Sequence, residues 1–226
     1  MSDSTPRISY DDSLLAYADS LPIKHKRLLD SRSDQQFNDA FASIVLEAVD
    51  EIERDAKHFS TLSEDALSSI FVKTINRTDA LVVTREEYTN GHVDLTFWAN
   101  RCYPEARRIL GEAKIYKSFS WHSSGVLQLI GRYSTGREGR GLLLVYVQQD
   151  SIKDKMEQFR KDMDLNLPCS QTKPCFDHSA RWSFVSEHEH RSKEKLEVWH
   201  LGCNLHHETA APKPTKRKLG KKSPGS

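Results

Sequence analysis

The stretch that decides the fold is His92–Tyr116, with the sequence HVDLTFWANRCYPEARRILGEAKIY. Over residues 92–97 apolar side chains alternate with polar ones, which predicts a β-strand with one face in the core. The Asn90-Gly91 pair just before it predicts a hairpin turn. Residues 109–116 predict a further strand, which the chain reaches through a turn near Tyr103-Pro104. The region is therefore expected to form adjacent strands of one sheet.

Three charged residues in this region are candidates for a catalytic site. If the two strands are neighbours, Asp94 and Glu112 converge on one point, and Lys114 shares a face with Glu112. A carboxylate two residues before a lysine, on an otherwise apolar strand, needs a partner or a metal because a buried charge is costly. Carboxylates are ligands for Mg²⁺ or Mn²⁺, and a neighbouring lysine can position a water or a phosphate oxygen. The set is suited to metal-dependent phosphodiester hydrolysis.

Towards the N-terminus, the sequence predicts two helices followed by a strand. Apolar residues spaced three and four apart predict helices over residues 36–58 and 62–76. Thr61 and Glu64 have the spacing of a capping box at the start of the second helix. Residues 80–83 are apolar and β-branched, which predicts the strand that precedes the hairpin.

Towards the C-terminus, the sequence predicts a helix and then a central strand. Ser123 or Ser124 can cap a helix that continues through Tyr133. The almost wholly apolar run 142–147 predicts a strand covered on both faces. The remaining predicted elements are a helix over 151–163 and a strand pair over 182–185 and 196–201. Together these elements predict an α/β fold with a mixed central sheet.

The order of these motifs resembles that of the PD-(D/E)XK, or restriction-endonuclease-like, nucleases. The resemblance covers roughly residues 60–150 and rests on Asp94, on Glu112-Ala113-Lys114, on the helix bearing Gln128, and on the strand 142–147. It implies an αβββαβ core with a mixed sheet, to which this chain adds an N-terminal helix and a C-terminal strand pair. It also implies hydrolysis of DNA, with RNA not excluded. In that reaction Asp94 and Glu112 would bind Mg²⁺ or Mn²⁺, Lys114 would position or activate water, and Gln128 would orient the water or the lysine.

The sequence departs from the family pattern at two positions. Val93 replaces the proline of the family name, and Tyr133 follows Gln128 by five residues instead of the four of the related Q-x-x-x-Y motif. On an α-helix that spacing would place Arg132 beneath Gln128. By the same resemblance Glu64 matches a glutamate on the preceding helix and would be a further metal-site residue. The capping box explains Glu64 equally well.

Composition sets the domain boundaries and excludes some classes of protein. The 226 residues have a net charge of +1, but residues 212–226 carry six basic and no acidic residues. We expect a loose N-terminal extension over 1–34, the nuclease-like domain over 35–207, and a disordered basic tail over 208–226. No apolar run approaches the roughly 18 residues of a membrane span, and the first residues lack the apolar segment of a signal peptide. Four cysteines are too few for a disulfide scaffold, so we expect a cytoplasmic protein without membrane contact.

Several alternatives remain open at this level. The resemblance suggests a stand-alone restriction or anti-phage defence effector, and nucleases of this kind often act as homodimers. No separate DNA-reading motif is visible, so a subunit that depends on a helicase or ATPase partner is an alternative, as is a non-catalytic nucleic-acid-binding scaffold. Cysteines and histidines near the C-terminus invite a zinc interpretation, but the C-x₅-C spacing of Cys169 and Cys175 is wider than a zinc knuckle. Lys117, Arg132 and Arg137 are candidates for phosphate contacts, although solvated basic positions are common. Trp121 and His122 could line a substrate groove but are expected to be packing residues, and His92 is expected to be structural.

Overall fold

A computed structural model describes residues 16–17, 19–78, 80–85, 87–88, 92–99 and 107–208. The helices are α1 (Ile23–Leu29), α2 (Asp34–Arg54), α3 (Ala56–Phe59), α4 (Glu64–Ile75), α5 (Phe119–Leu127), a π-helix (Gln128–Tyr133) and α6 (Ile152–Asn166). The strands are β1 (Val82–Thr84), β2 (Glu87–Tyr88), β3 (His92–Val93), β4 (Leu95–Ala99), β5 (Arg107–Ile115), β6 (Arg140–Val147), β7 (Phe176–Asp177), β8 (Ser183–Glu189) and β9 (Lys195–Asn204). The elements confirm the predicted α/β class. No described helix has the length and apolar character needed to cross a bilayer.

Seven of the strands form one mixed sheet in the order β1-β4-β5-β6-β9-β8-β7. The three central strands β5, β6 and β9 run parallel, and the outer pairs are antiparallel. Strands β2 and β3 pair separately, on either side of the predicted Asn90-Gly91 turn, which lies outside the described residues together with Tyr103-Pro104. The predicted C-terminal strand pair is confirmed, since β8 and β9 pair, and β9 joins the sheet beside β6.

Helices cover both faces of the sheet. Helices α1, α2 and α4 pack on one face, against alternate residues of β5, β6 and β9. Helix α5, the π-helix and α6 pack on the other face, against the intervening residues. Leu142 and Leu143 of β6 belong to opposite layers, and all of residues 142–147 are buried. This confirms the central position that the apolar run predicted.

The packed fold begins earlier than the predicted boundary at residue 35. Leu28 on α1 is completely buried in the first apolar layer, although it lies within the predicted loose extension. Ser33 accepts a hydrogen bond from the Gln36 N–H, and α2 therefore starts at Asp34. The predicted helix over 36–58 divides at Asp55 into α2 and the short α3. Residues 209–226, which make up most of the predicted tail, lie outside the described residues.

Two of the predicted caps are wrong. Helix α4 is capped by Ser63, whose Oγ accepts from the Ala66 N–H, and Glu64 is its first residue instead of the third residue of a box begun by Thr61. The cap of helix α5 is Ser118, five residues before Ser123, because Ser118 has an extended backbone and its Oγ accepts from the Trp121 N–H. The carboxylate of Glu64, freed from capping, is available elsewhere.

The predicted strand over 92–97 is interrupted at Asp94. Residues 92–93 pair with β2, whereas residues 95–99 pair with β1 and β5, so the chain changes partners at this carboxylate. Leu95 and Phe97 enter the core as the alternation predicted, and Thr96 on the other face is also buried.

Candidate active site

The candidate site lies where β4 and β5 separate. Their pairing ends at Leu95 and Gly111, and beyond Gly111 this edge of β5 pairs with no strand among the described residues. The Ala113 N–H donates instead to Asp94 Oδ2 at 3.3 Å, and the Ile115 N–H donates to Glu64 Oε2 at 2.9 Å. Backbone N–H groups must be paired when buried, and here two side-chain carboxylates replace the missing strand.

The ammonium group of Lys114 lies among three carboxylates. Its Nζ is 2.6 Å from Glu112 Oε1, 3.7 Å from Glu64 Oε1 and 3.9 Å from Asp94 Oδ2. The structure thus brings together Asp94, Glu112 and Lys114, as strand alternation predicted, and adds Glu64 from the start of α4. Three acids around one base leave the cluster with an excess of negative charge when all four are ionised.

Of these four residues, Glu112 has the environment that is least favourable to its ionised form. It is 1% exposed, and neither of its buried carboxylate oxygens accepts a well-aligned hydrogen bond, although Oε1 forms the ion pair with Lys114. Burial, followed by repulsion from Asp94, raises the pKa of Glu112 to about 8, against the opposing effect of Lys114. For Lys114, burial lowers the pKa, but the combined negative charge of Glu112, Asp94 and Glu64 leaves it above its ordinary value.

Helix α5 lies directly over Glu112 and Lys114. A Cβ atom at Gly125 would be 3.1 Å from Leu143 Cδ1, 3.2 Å from Glu112 Cγ and 3.6 Å from Lys114 Cε. The first two distances are tighter than most real Cβ contacts, so a side chain here would push on Leu143 and Glu112. Gly125 therefore sets the depth of the site, a role that the sequence analysis missed.

The π-helix changes the alignment of the residues that follow α5. The Ser134 N–H donates to Leu129 O, a hydrogen bond that spans five residues instead of the four of an α-helix. Tyr133 is buried in the second apolar layer, whereas Arg132 is exposed, so the tyrosine and not the arginine turns towards the sheet. The five residues from Gln128 to Tyr133 are the sequence signal for the wider turn of the π-helix. If the segment is taken as an α-helix, the same spacing only departs from the Q-x-x-x-Y motif.

Tyr133 belongs to the apolar layer that covers the site, whereas Gln128 lies at its edge with solvent. Burial, then the charges of Glu112 and Asp94, raises the pKa of Tyr133 to about 12, which places the phenol within electrostatic reach of both carboxylates. Gln128 is half-buried, and its Oε1 is shielded from solvent without a hydrogen-bond partner among the described residues.

Other residues weighed from the sequence are distributed between core and surface. His122 is fully buried between the Tyr116 and Phe159 rings, where burial and the charge of Lys114 lower its pKa to about 4, so its role is packing. Arg132 and Arg137 are exposed.

The sheet separates two of the cysteines that invited a zinc interpretation. Cys175 and Cys203 belong to the apolar layers on opposite faces of the sheet, so they cannot share an ion.

The donor set at the site fits a hard divalent cation with few protein ligands. Among the described residues no group of three or more His, Cys, Asp or Glu side chains has a geometry that would hold a metal. Mg²⁺ commonly keeps several waters and uses only one or two carboxylates. Glu112 offers two buried acceptors without aligned donors, and Asp94 is next to it. Comparison with known proteins found no matching family model, curated protein or solved structure.

Proposed function

We propose that this chain is a metal-dependent nuclease that hydrolyses DNA phosphodiester bonds, with a restriction-endonuclease-like core formed by α4 to β6. The observation that carries the proposal is the buried Glu112–Lys114 pair, 2.6 Å apart, beside Asp94 at the point where two strands separate. Structural ion pairs are usually matched one to one, whereas this lysine faces three carboxylates and one carboxylate lacks aligned donors. Perturbed titratable groups in such a cluster are typical of functional sites.

Each residue of the site has a separate role in the proposed reaction. Asp94 and Glu112 would hold Mg²⁺ or Mn²⁺, which supplies charge neutralisation at the phosphate and a more acidic bound water. Lys114 donates hydrogen bonds to the attacking water or to a non-bridging phosphate oxygen, and its raised pKa keeps it protonated for this. Glu64 fixes the end of β5 through Ile115 and adds negative charge beside the lysine. Tyr133 interacts electrostatically with Glu112 and Asp94, and by the resemblance Gln128 would orient the water or Lys114.

Cleavage of plasmid DNA and of labelled oligonucleotides by the purified full chain tests the proposal. Cutting should require Mg²⁺ or Mn²⁺, stop in EDTA, and fall by at least about 100-fold in Glu112→Gln and in Lys114→Ala, which is the usual scale for loss of a group that contacts the reacting centre. Glu187→Gln is the matched control. Glu187 is a buried carboxylate on β8, away from the site, and it forms ion pairs with Lys173 and Lys195. Cutting that persists unchanged in Glu112→Gln and Lys114→Ala would overturn the assignment.

The same experiment separates the alternatives. Cutting that appears only after a helicase or ATPase partner is added would identify a partner-dependent subunit. DNA binding without cutting under any metal would instead identify a scaffold.

A further inference from the structure

A partly exposed tryptophan lies beside the site lysine. Trp121, in the first turn of α5, is 38% exposed. Lys114 Nζ lies 5.4 Å from the centroid of its ring, and Lys117 Nζ lies 4.4 Å from it. Because the same Lys114 Nζ is 2.6 Å from Glu112, the indole borders the candidate site directly.

Packing does not account for the position of this side chain. Trp121 belongs to neither of the two apolar layers, whereas its neighbour Phe119 packs against the layer that holds Phe159. An exposed indole next to a charged cleft is the kind of apolar surface that marks a ligand contact. The expectation that Trp121 is only a packing residue is therefore not supported by its surroundings.

The surface beside the indole is cationic. Lys117 is exposed and forms no ion pair within the described part of the chain. The first turn of α5 contains no acidic residue, so nothing there neutralises the lysine or the positive end of the helix. Lys117 Nζ lies over the indole ring, but its exposed and flexible stem lets the ammonium group move to a phosphate when a base stacks on the ring. An aromatic ring beside a cation without an ion pair is the combination that binds an unpaired nucleobase together with its phosphate.

We infer that Trp121 stacks on an unpaired nucleobase next to the phosphate that Lys114 contacts, while Lys117 contacts an adjoining phosphate. This inference rests on the proposed function and specifies its substrate. A base inside a duplex is already stacked on both faces, so it reaches the indole only when it is unstacked. The substrate is therefore a nucleic acid with an unpaired nucleotide at the cut, such as a single strand, a flap or a frayed end.

Equilibrium binding of labelled oligonucleotides tests the inference in a Glu112→Gln background, so that cleavage does not consume the probe. Single-stranded DNA should bind more tightly than a blunt duplex of the same sequence. Trp121→Ala should weaken single-strand binding by about 10-fold to 100-fold, the usual effect of removing one stacking aromatic residue. Trp121→Phe should restore most of the affinity. Trp182→Ala is the matched control, because Trp182 is half-buried just before β8, three strands away from β5, and its loss should leave binding unchanged.

A series of oligonucleotides with one abasic residue distinguishes stacking from a general surface effect. At one position the abasic residue should itself weaken binding, and there Trp121→Ala should cause no further loss, because the two changes remove the same contact. Equal penalties for Trp121→Ala at every position, or no penalty at all, would overturn the inference while leaving the nuclease proposal intact. Failure of every oligonucleotide, DNA or RNA, to bind would overturn both. Tighter binding of single-stranded RNA than DNA would support the stacking and identify RNA as the substrate.

Discussion

Replacing Glu112 by glutamine should stabilise the protein at neutral and alkaline pH in the absence of divalent cations. The ionised carboxylate is buried, faces Asp94 and receives no aligned hydrogen bond, so its charge opposes folding. Glutamine has nearly the same shape and carries no charge. Lys114 keeps two carboxylates near it in the variant, at 3.7 Å and 3.9 Å, so it is not left as an isolated buried charge.

The size of the effect follows from the pKa of Glu112. Its folded-state pKa of about 8 lies above the ordinary value of 4.5, so between these pH values the folded chain holds a proton that the unfolded chain has lost. Stability is then fully present below about pH 4.5 and falls as the pH rises to about 8. At about 1.4 kcal/mol per pKa unit, the cost reaches about 3 kcal/mol at pH 7 and about 5 kcal/mol above pH 8. The pKa of about 8 already includes the attraction of Lys114, so this cost is the net penalty of the buried charge. The buried glutamine amide must itself be desolvated, which offsets part of the gain, and we expect Glu112→Gln to be about 1–3 kcal/mol more stable than the parent at pH 8.

Urea denaturation in EDTA between pH 5 and 9, followed by circular dichroism, measures the difference at each pH. Glu138→Gln is the control with the opposite sign. Burial opposes ionisation of Glu138, but hydrogen bonds from Arg108 and Thr135 lower its pKa to about 2, so its removal should destabilise the protein throughout this range. The reasoning would be refuted if Glu112→Gln were less stable than the parent from pH 7 to 9, or if the difference did not grow with pH.

Three further outcomes are expected. Ser63→Ala should lower the free energy of unfolding by about 1 kcal/mol, whereas Thr61→Ala should change it by less than about 0.5 kcal/mol, since only Ser63 caps α4. Alanine at Gly125 should lose stability and nuclease activity despite its better helix propensity, because its Cβ would press on the site carboxylate; Gly131→Ala, with only an ordinary 3.6 Å contact, should lose neither. The imidazole of His188 should titrate near pH 4 by NMR, because burial lowers its pKa, so its contribution to stability is lost as the pH falls from about 6.5 towards 4; a midpoint above 6 would contradict its buried environment.

The sequence predicted those parts of the molecule that depend on periodicity. Alternation along residues 109–116 placed Glu112 and Lys114 correctly on one face, because a strand has only two faces. The expected pairing of the two strands brought Asp94 next to them, although the strand is interrupted at Asp94. The apolar run of β6 likewise predicted a strand between two layers. These features depend on local geometry that any strand shares.

The remaining errors arise where one local explanation competes with a distant partner. Glu64 fits a capping box by spacing, but its carboxylate bonds to Ile115, 51 residues away, and a nearer serine takes the capping role. The close approach of Gly125 to Glu112 likewise depends on how deeply α5 packs on the sheet, which no spacing rule contains. Tertiary packing decides both positions.

The π-helix gives the chain a place that absorbs a change in length. Each of its hydrogen-bonded turns contains one more residue than a turn of an α-helix. Deletion of Gly131 would place Tyr133 four residues after Gln128, and residues four apart lie on one side of a regular α-helix. The entry into β6 and the register of the parallel core would be preserved. Two chains could therefore differ by one residue here and share the same site, and a comparison that requires a fixed spacing between the glutamine and the tyrosine would separate them.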